Sequence, residues 1–125
     1  MLPRRPLAVT LAVAALAAPA AGCTDSSPPE QARNGRADVT LDDFFISPQR
    51  LRAKAGRITF HVTNRGKINH TLRVERRGRT VARIKTLLPG ESADTSATFR
   101  RGAYKLLCIL GNHDVLGMYG TLTVR

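Results

Sequence analysis

Three residues with metal-binding side chains lie close together near the end of the chain. Cys108, His113 and Met118 follow one another with four residues between neighbours, the pattern C-x4-H-x4-M. Thiolate, imidazole and thioether groups together favour copper, because sulfur donors suit Cu(I) and imidazole accommodates both oxidation states. A trigonal set of two histidines and one cysteine with a weak axial Met is the arrangement used for electron transfer. The spacing therefore predicts a copper site that takes a second histidine from elsewhere in the chain.

His70 is the candidate for this second histidine. It opens a segment in which Leu72 and Val74 alternate with polar residues, after a turn at Asn64-Arg65-Gly66. His61, by contrast, falls opposite the apolar face of its own segment, so we expect a solvated strand histidine there. Each ligand taken alone has an ordinary structural explanation, such as a buried cysteine at a strand end. The four residues in this order and spacing favour a metal site.

Short β-like segments must position these residues. From Ala37 onward, apolar and polar residues alternate in short runs separated by turn residues such as Pro89-Gly90, and no long segment has the 3.6-residue period of a helix. This pattern predicts an all-β sandwich or barrel, a single domain over residues 37–125. The predicted ligands then fall at the starts and ends of strands and in the loop between the last two.

The beginning of the chain has the features of an export signal, which we assign to residues 1–22. Arg4 and Arg5 precede an apolar stretch from Leu7 to Ala18, shorter than the ~20 residues that a membrane-spanning helix needs. The small residues before Cys23 resemble the lipobox of bacterial lipoproteins, in which the cysteine becomes the lipid-carrying N-terminus. The alternative is cleavage after Ala20, which would release a soluble secreted chain.

Residues 23–36 contain the run Ser26-Ser27-Pro28-Pro29 and no apolar segment, so we predict a flexible linker between a lipid anchor at Cys23 and the domain. With Cys23 lipidated, Cys108 has no cysteine to pair with. An unpaired cysteine in an oxidising compartment must be buried, reactive or metal-bound. We expect the protein in the bacterial cell envelope, anchored on the outer face of the cytoplasmic membrane, or else secreted or periplasmic.

The chain is basic, with 20 Lys and Arg against 9 Asp and Glu. Such a balance raises nucleic-acid binding as a candidate, but the export signal argues against it. Removal of residues 1–22 takes away two arginines and no acidic residue, so the mature charge is 18 minus 9, or +9. We therefore expect a monomer that meets anionic envelope surfaces or an acidic protein partner, and no nucleic acid.

The organisation of the domain resembles that of the cupredoxin family of small blue-copper proteins. The similarity rests on Pro48, Gly56, the strand at 58–64, the turn Pro89-Gly90-Glu91-Ser92, the approach Gly102-Ala103-Tyr104 and the segment from Gly117 to Leu122. The resemblance implies a single Greek-key β-sandwich that holds one copper ion, cycling between Cu(I) and Cu(II). Its ligands would be the upstream imidazole of His70, the thiolate of Cys108, the loop imidazole of His113 and the axial thioether of Met118.

The resemblance also implies a docking surface, since the edge of His113 would reach the surface within an apolar patch. The candidate residues for this patch are Leu110, Val115 and Leu116. A redox protein of the cell envelope would dock there, and basic residues such as Lys67 and Lys105 could steer it if it is acidic.

Single-electron transfer between envelope partners is thus the predicted function. A copper-binding module that buffers or delivers metal is the alternative, because the same ligands could serve it. We expect no enzyme, since a copper oxidase or nitrite reductase needs a second copper centre and only His61 remains as a further histidine. Thr71 stands where many cupredoxins have an Asn that links the two ligand loops, and its hydroxyl could form part of that link.

Overall fold

The computed structural model describes residues 27–125, which fold into ten β-strands. The predicted signal peptide, Cys23 and the first residues of the predicted linker lie outside the described residues. The strands are β1 (Glu30–Gln31), β2 (Arg36–Asp42), β3 (Phe45–Ser47), β4 (Arg50–Ala53), β5 (Gly56–Asn64), β6 (Arg73–Arg76), β7 (Arg79–Arg83), β8 (Ser92–Phe99), β9 (Gly102–Leu107) and β10 (Tyr119–Val124). Within this part of the chain no helix has the length and apolar composition to cross a membrane.

The strands form two sheets. The larger has six strands in the order β1-β4-β10-β9-β6-β7, and the smaller has four in the order β3-β2-β5-β8. Consecutive strands repeatedly lie in different sheets, so the chain joins both layers into one β-sandwich. The all-β sandwich predicted from the alternating pattern is therefore confirmed.

The core lies between the two sheets and follows the two-residue period of the strands. In β5 the apolar residues Ile58, Phe60 and Val62 are fully buried, whereas the intervening side chains are half-buried. Ring contacts join the layers: Phe60 packs on Phe99 of β8, whose ring centroid lies 5.1 Å from that of Tyr104 on β9. This packing holds the strand ends that carry the candidate ligands.

Ordered structure begins earlier than the boundary at residue 37 that the sequence suggests. Glu30–Gln31 pair in parallel with β4, and the backbone N–H of Ala32 donates to the carbonyl of Arg52 at 2.8 Å. Strand β2 then begins at Arg36. Residues 30–36 of the predicted linker therefore contribute a sheet edge and a turn, because their backbone groups find partners in the domain although their side chains are mostly polar.

Candidate metal centre

Three candidate ligands come together at one end of the sandwich. The donor atoms of His70, Cys108 and His113 lie within 4.8 Å of one another. The sulfur of Cys108 is 3.5 Å from Nδ1 of His113 and 4.0 Å from Nδ1 of His70. Cys108 and His70 are fully buried, whereas His113 is half-buried. The two imidazole centroids are 5.2 Å apart, so both rings face the sulfur from neighbouring directions.

The loop from Cys108 to Met118 connects β9 to β10, and its two ends lie side by side. The backbone N–H of Cys108 donates to the carbonyl of Met118 at 3.1 Å, next to the pairing of Tyr119 with Leu107. The N–H of Met118 donates to the carbonyl of His113 at 2.9 Å. These bonds fold the loop so that the residue after β9, the middle of the loop and the residue before β10 are close in space. The side chain of Met118 is fully buried and belongs to the same hydrophobic core as that of Cys108.

His70 comes from a separate connection, between β5 and β6. Its backbone N–H donates to the carbonyl of Leu87 at 3.1 Å, and the N–H of Leu87 donates back at 2.7 Å. The bridge holds His70 in place three residues before β6 begins. Sequence reasoning identified His70 by position only, and the structure shows that this bridge and the loop around Cys108 bring it to the sulfur.

A buried asparagine organises the turn that leads to His70. The side-chain amide of Asn64 donates to the carbonyls of Ile68 and Leu87 at 2.8 and 2.9 Å, and its oxygen accepts the N–H of Gly66 at 2.9 Å. Asn64 is fully buried, and its bonds to Leu87 and Gly66 are buried with it, whereas the bond to Ile68 is partly buried. It therefore ties the turn at residues 64–66 to the strand connection that pairs with His70.

The structure adds two residues that sequence reasoning missed, Asp43 and Phe44 between β2 and β3. Nε2 of His70 donates to Oδ1 of Asp43 at 3.0 Å, and the Phe44 ring meets the His113 ring edge-on with centroids 5.3 Å apart. The backbone N–H of Lys67 and the side chain of His70 hold the pKa of Asp43 below its usual value. No local pattern marks these two residues, because they lie 27 or more positions away from the histidines that they touch.

The remaining candidate residues fall as follows. His61 lies on the outer face of β5, half-exposed and hydrogen-bonded to Asp94, which agrees with the solvated strand histidine that we expected. Val115 is 80% exposed and Leu116 is 59% exposed, whereas Leu110 is half-buried against the core. The Thr71 hydroxyl donates to the carbonyl of Ile84 at 3.0 Å. This bond joins Thr71 to the segment after β7 and not to the loop that carries Cys108.

The donor set fits copper on chemical grounds. One buried cysteine sulfur, two imidazoles and a buried thioether are soft and borderline donors. Among residues 27–125, no carboxylate belongs to the cluster of donor atoms. Two histidines and one cysteine are the trigonal donor set of mononuclear blue-copper sites. A family model described as the cupredoxin-like domain matches residues 7–124. The chain therefore belongs to the cupredoxin-like domain family, with the residues of a single copper site.

Solved structures of blue-copper proteins have the same fold. Auracyanin from the photosynthetic bacterium Roseiflexus castenholzii superposes with a TM-score of 0.66 at 19% identity, covering 73% of this chain and 97% of that one. An azurin from Methylomonas sp. strain J gives 0.66 at 15% identity, covering 74% and 99%. Auracyanin A from Chloroflexus aurantiacus, described as a "blue" copper protein, gives 0.62 at 15% identity, covering 73% and 100%. No curated protein matches the chain.

Proposed function

We propose that this protein is an exported type 1 copper protein that carries single electrons between redox partners of the cell envelope. The observation that carries the proposal is the cluster of His70, Cys108 and His113, whose donor atoms lie within 4.8 Å of one another inside the sandwich. Met118, buried and hydrogen-bonded through its backbone to Cys108 and His113, would complete the ligand set with its thioether. Bound copper supplies the one-electron chemistry between Cu(I) and Cu(II).

The scaffold supports this function because it leaves the ligands little freedom to move. Cys108 directly follows β9, Met118 directly precedes β10, and His70 is held by its backbone bridge to Leu87. Side chains that lie in the same positions in both oxidation states make the reorganisation on electron transfer small. The buried, apolar setting of Met118 and Cys108 also limits the access of water to the site. Solvent access is one of the factors that set the reduction potential of a bound metal.

His113 is the proposed point of electron exit. It is half-buried and lines a shallow surface depression together with Lys67, Ile68, Asn69 and Leu110. Val115 and Leu116 are exposed on the same loop, so an apolar docking patch can surround the imidazole edge. Lys67 at this depression and exposed Lys105 on β9 favour an acidic partner, whose association would weaken as salt concentration rises.

Burial separates electron transfer from the alternative function of copper delivery. A delivery protein must hand its metal to acceptor ligands, which need access to the donors. Two of the three clustered donors, on Cys108 and His70, are fully buried, and only His113 reaches the surface. This arrangement suits outward transfer of an electron through the imidazole better than outward transfer of the metal.

The test is visible absorption of the purified domain with one equivalent of Cu(II), before and after ascorbate, followed by voltammetry. Electron transfer predicts a strong thiolate-to-copper colour that ascorbate bleaches, and a fast, reversible redox wave. A colourless Cu(I) site with sluggish redox behaviour that releases its metal to an acceptor would instead support delivery. Absence of any copper binding would contradict both functions.

Export and lipid anchoring at Cys23 form a separate part of the proposal, supported by the charged and apolar pattern of residues 1–22. Mass spectrometry of the protein recovered from bacterial membranes should detect a lipid-modified N-terminus at Cys23. An unmodified chain that begins at Ala21 would show simple secretion and would leave the copper function untouched.

The proposed solution state is a monomer that binds a redox protein and no nucleic acid. The mature charge of +9 would allow weak, salt-sensitive contact with many anionic molecules, so the measurement must be made near physiological ionic strength. Light scattering of the copper-loaded domain should give the mass of one chain. A duplex DNA fragment should show no binding that survives at this salt concentration.

A further inference from the structure

The two residues between β2 and β3 contact both candidate histidine ligands. Asp42 pairs with Phe45 across the β2–β3 hairpin, so Asp43 and Phe44 form a two-residue turn. Phe44 has a φ of 62°, in the left-handed region that an aromatic residue rarely adopts. Asp43 meets His70, and Phe44 meets His113. A backbone conformation that is unfavourable by itself is thus retained where the turn touches the metal centre.

The carboxylate of Asp43 is held from two sides. Oδ1 accepts the Nε2–H of His70 at 3.0 Å, and the backbone N–H of Lys67 donates to Oδ1 at 2.9 Å and Oδ2 at 3.0 Å. The side chain of Asp43 is 29% exposed, whereas that of His70 is fully buried. The charge of Asp43 is therefore solvated on one side and directed at the imidazole on the other.

This hydrogen bond decides which ring nitrogen of His70 is free. A carboxylate accepts a proton and cannot donate one, so Nε2 carries the hydrogen. In the neutral ring Nδ1 is then left with a lone pair, and Nδ1 is the atom that faces the Cys108 sulfur at 4.0 Å. A metal-ligating histidine commonly has its other N–H bound in this way, which fixes the ring and raises its basicity as a ligand.

Gly66 gives an independent sign that the contact is built into the fold. Its φ lies outside the left-handed region, so no backbone conformation requires glycine here. A Cβ at this position would overlap with the Asp43 carboxylate and would lie 2.7 Å from Nε2 of His70. Space for the aspartate–histidine contact, and not chain flexibility, therefore explains why position 66 has no side chain.

We propose that Asp43 is a positioning residue of the copper site, which orients His70 and places a negative charge beside it that favours Cu(II) over Cu(I). The inference rests on the proposed copper function and goes beyond it by assigning a residue that is not a ligand. Removal of the carboxylate should weaken binding of Cu(II) more than binding of Cu(I), since the extra positive charge of Cu(II) interacts more strongly with an anion.

The test compares wild-type protein with Asp43→Asn and Asp43→Ala. Affinities for Cu(II) and Cu(I) are measured by competition with chelators, and reduction potentials by voltammetry. We expect Asp43→Ala to bind Cu(II) about 10–100-fold more weakly, as is typical when the partner of a ligating histidine is removed. Each tenfold excess of the Cu(II) loss over the Cu(I) loss raises the one-electron potential by about 59 mV. Asp43→Asn, which keeps an acceptor oxygen, should lose less affinity but still show a raised potential.

The matched control is Asp94→Asn, which removes the same charge from the other aspartate–histidine contact, on the outer face of the small sheet. It should leave both affinities and the potential unchanged. Unchanged potential and affinities in both Asp43 variants would overturn the assignment while the copper function stands. A wild-type domain that binds no copper would overturn the function itself, and with it the role of Asp43.

A measurement on the wild-type protein covers the case of poorly folded variants. In the diamagnetic Cu(I) form, nitrogen NMR of His70 should show a proton on Nε2 that exchanges slowly with water. A proton on Nδ1, with the ring bound to metal through Nε2, would contradict the hydrogen bond to Asp43 and overturn the proposal.

Discussion

Within residues 27–125, two histidine side chains are each hydrogen-bonded to an aspartate, and the two pairs lie in different surroundings. His61 donates from Nδ1 to Asp94 at 2.5 Å across β5 and β8, with side chains 35% and 55% exposed. Hydroxyl pairs lie on both sides of it along the strands, Thr59 with Ser96 and Thr63 with Ser92. This pair belongs to a polar, water-facing ladder on the outside of the smaller sheet.

The second pair, His70 with Asp43, points inward. The His70 side chain is fully buried, and its second nitrogen faces the sulfur of Cys108 with the His113 ring beside it. Both pairs join an imidazole to a carboxylate, yet within the described residues only His70 has a cysteine sulfur and a second imidazole within reach. The two pairs differ in the surroundings of the second ring nitrogen of the histidine. An aspartate–histidine pair can belong to a metal centre only where that nitrogen faces further donor atoms, as Nδ1 of His70 faces the Cys108 sulfur. An exposed pair in water contributes about 0–1 kcal/mol at most.

The largest effect should follow from removing the sulfur that distinguishes the inner pair. Cys108→Ser should abolish the coloured Cu(II) state, because the thiolate is the donor of the charge-transfer band, and should leave a folded domain. Visible absorption with one equivalent of Cu(II) and circular dichroism measure the two properties. A variant that keeps the colour would show that Cys108 is not the principal ligand.

Replacing each of the two histidines by alanine, in separate variants, tests the comparison between the two pairs directly. His70→Ala should lower copper affinity by more than the ~10–100-fold that loss of a ligand's outer partner causes, since a ligand itself is removed. His61→Ala is the matched control and should leave affinity unchanged, because the ladder around His61 consists of hydroxyls and the Asp94 carboxylate and offers no sulfur donor. Chelator competition measures both. A large loss in His61→Ala would overturn the assignment of His61 as a solvated residue.

Substitutions on the inner and outer sides of β5 should also differ in their effect on the free energy of unfolding. Asn64→Ala leaves the buried N–H of Gly66 without its acceptor and removes the side-chain donor from the carbonyls of Ile68 and Leu87. The Leu87 carbonyl keeps the backbone N–H of His70. An unsatisfied buried group costs about 1–3 kcal/mol, so the free energy of unfolding should fall by at least that amount. Thr63→Ala, on the exposed side of the same strand, should change it by less than about 0.5 kcal/mol. Urea denaturation of both variants measures the difference, and equal values would contradict it.

A substitution at Phe44, in the turn next to Asp43, should have a smaller effect on the free energy of unfolding. Phe44→Ala removes the edge-on ring contact with His113, and such contacts contribute about 0.5–1.5 kcal/mol. We expect a fall in unfolding free energy of this size for the copper-free protein. Phe45→Ala is the control, since Phe45 is exposed to a similar degree but has no ring contact with a ligand. An equal loss in both variants would show that the His113 contact adds nothing.

The smallest change in the free energy of unfolding should come from the exposed pair of His61 and Asp94. Asp94→Asn removes the carboxylate charge from a partly exposed hydrogen bond to His61, so the free energy of unfolding should fall by about 0–1 kcal/mol, and by less as salt concentration rises. Thermal unfolding at low and high salt measures this. A salt-independent loss above that range would show that the ladder is more shielded from water than its exposure indicates.

Much of the fold could be predicted because strand periodicity is local. The alternation of Ile58, Phe60 and Val62 identified both β5 and the face that it buries. The beginning of the domain was harder to predict. Glu30–Gln31 carry no apolar pattern, and their strand exists only because β4 offers a free edge.

The sequence by itself determined the candidate loop ligands Cys108, His113 and Met118, because they share one connection, whose two ends the pairing of β9 with β10 brings together. It also determined that His61 faces outward, since the side-chain direction in a strand alternates. Only the tertiary structure decided that Asp43 supports His70, because their hydrogen bond joins residues from two separate connections of the sandwich. Asp43 and Gly66 are distant from the C-x4-H-x4-M loop in sequence, and packing of the two sheets brings all of them to one end of the domain.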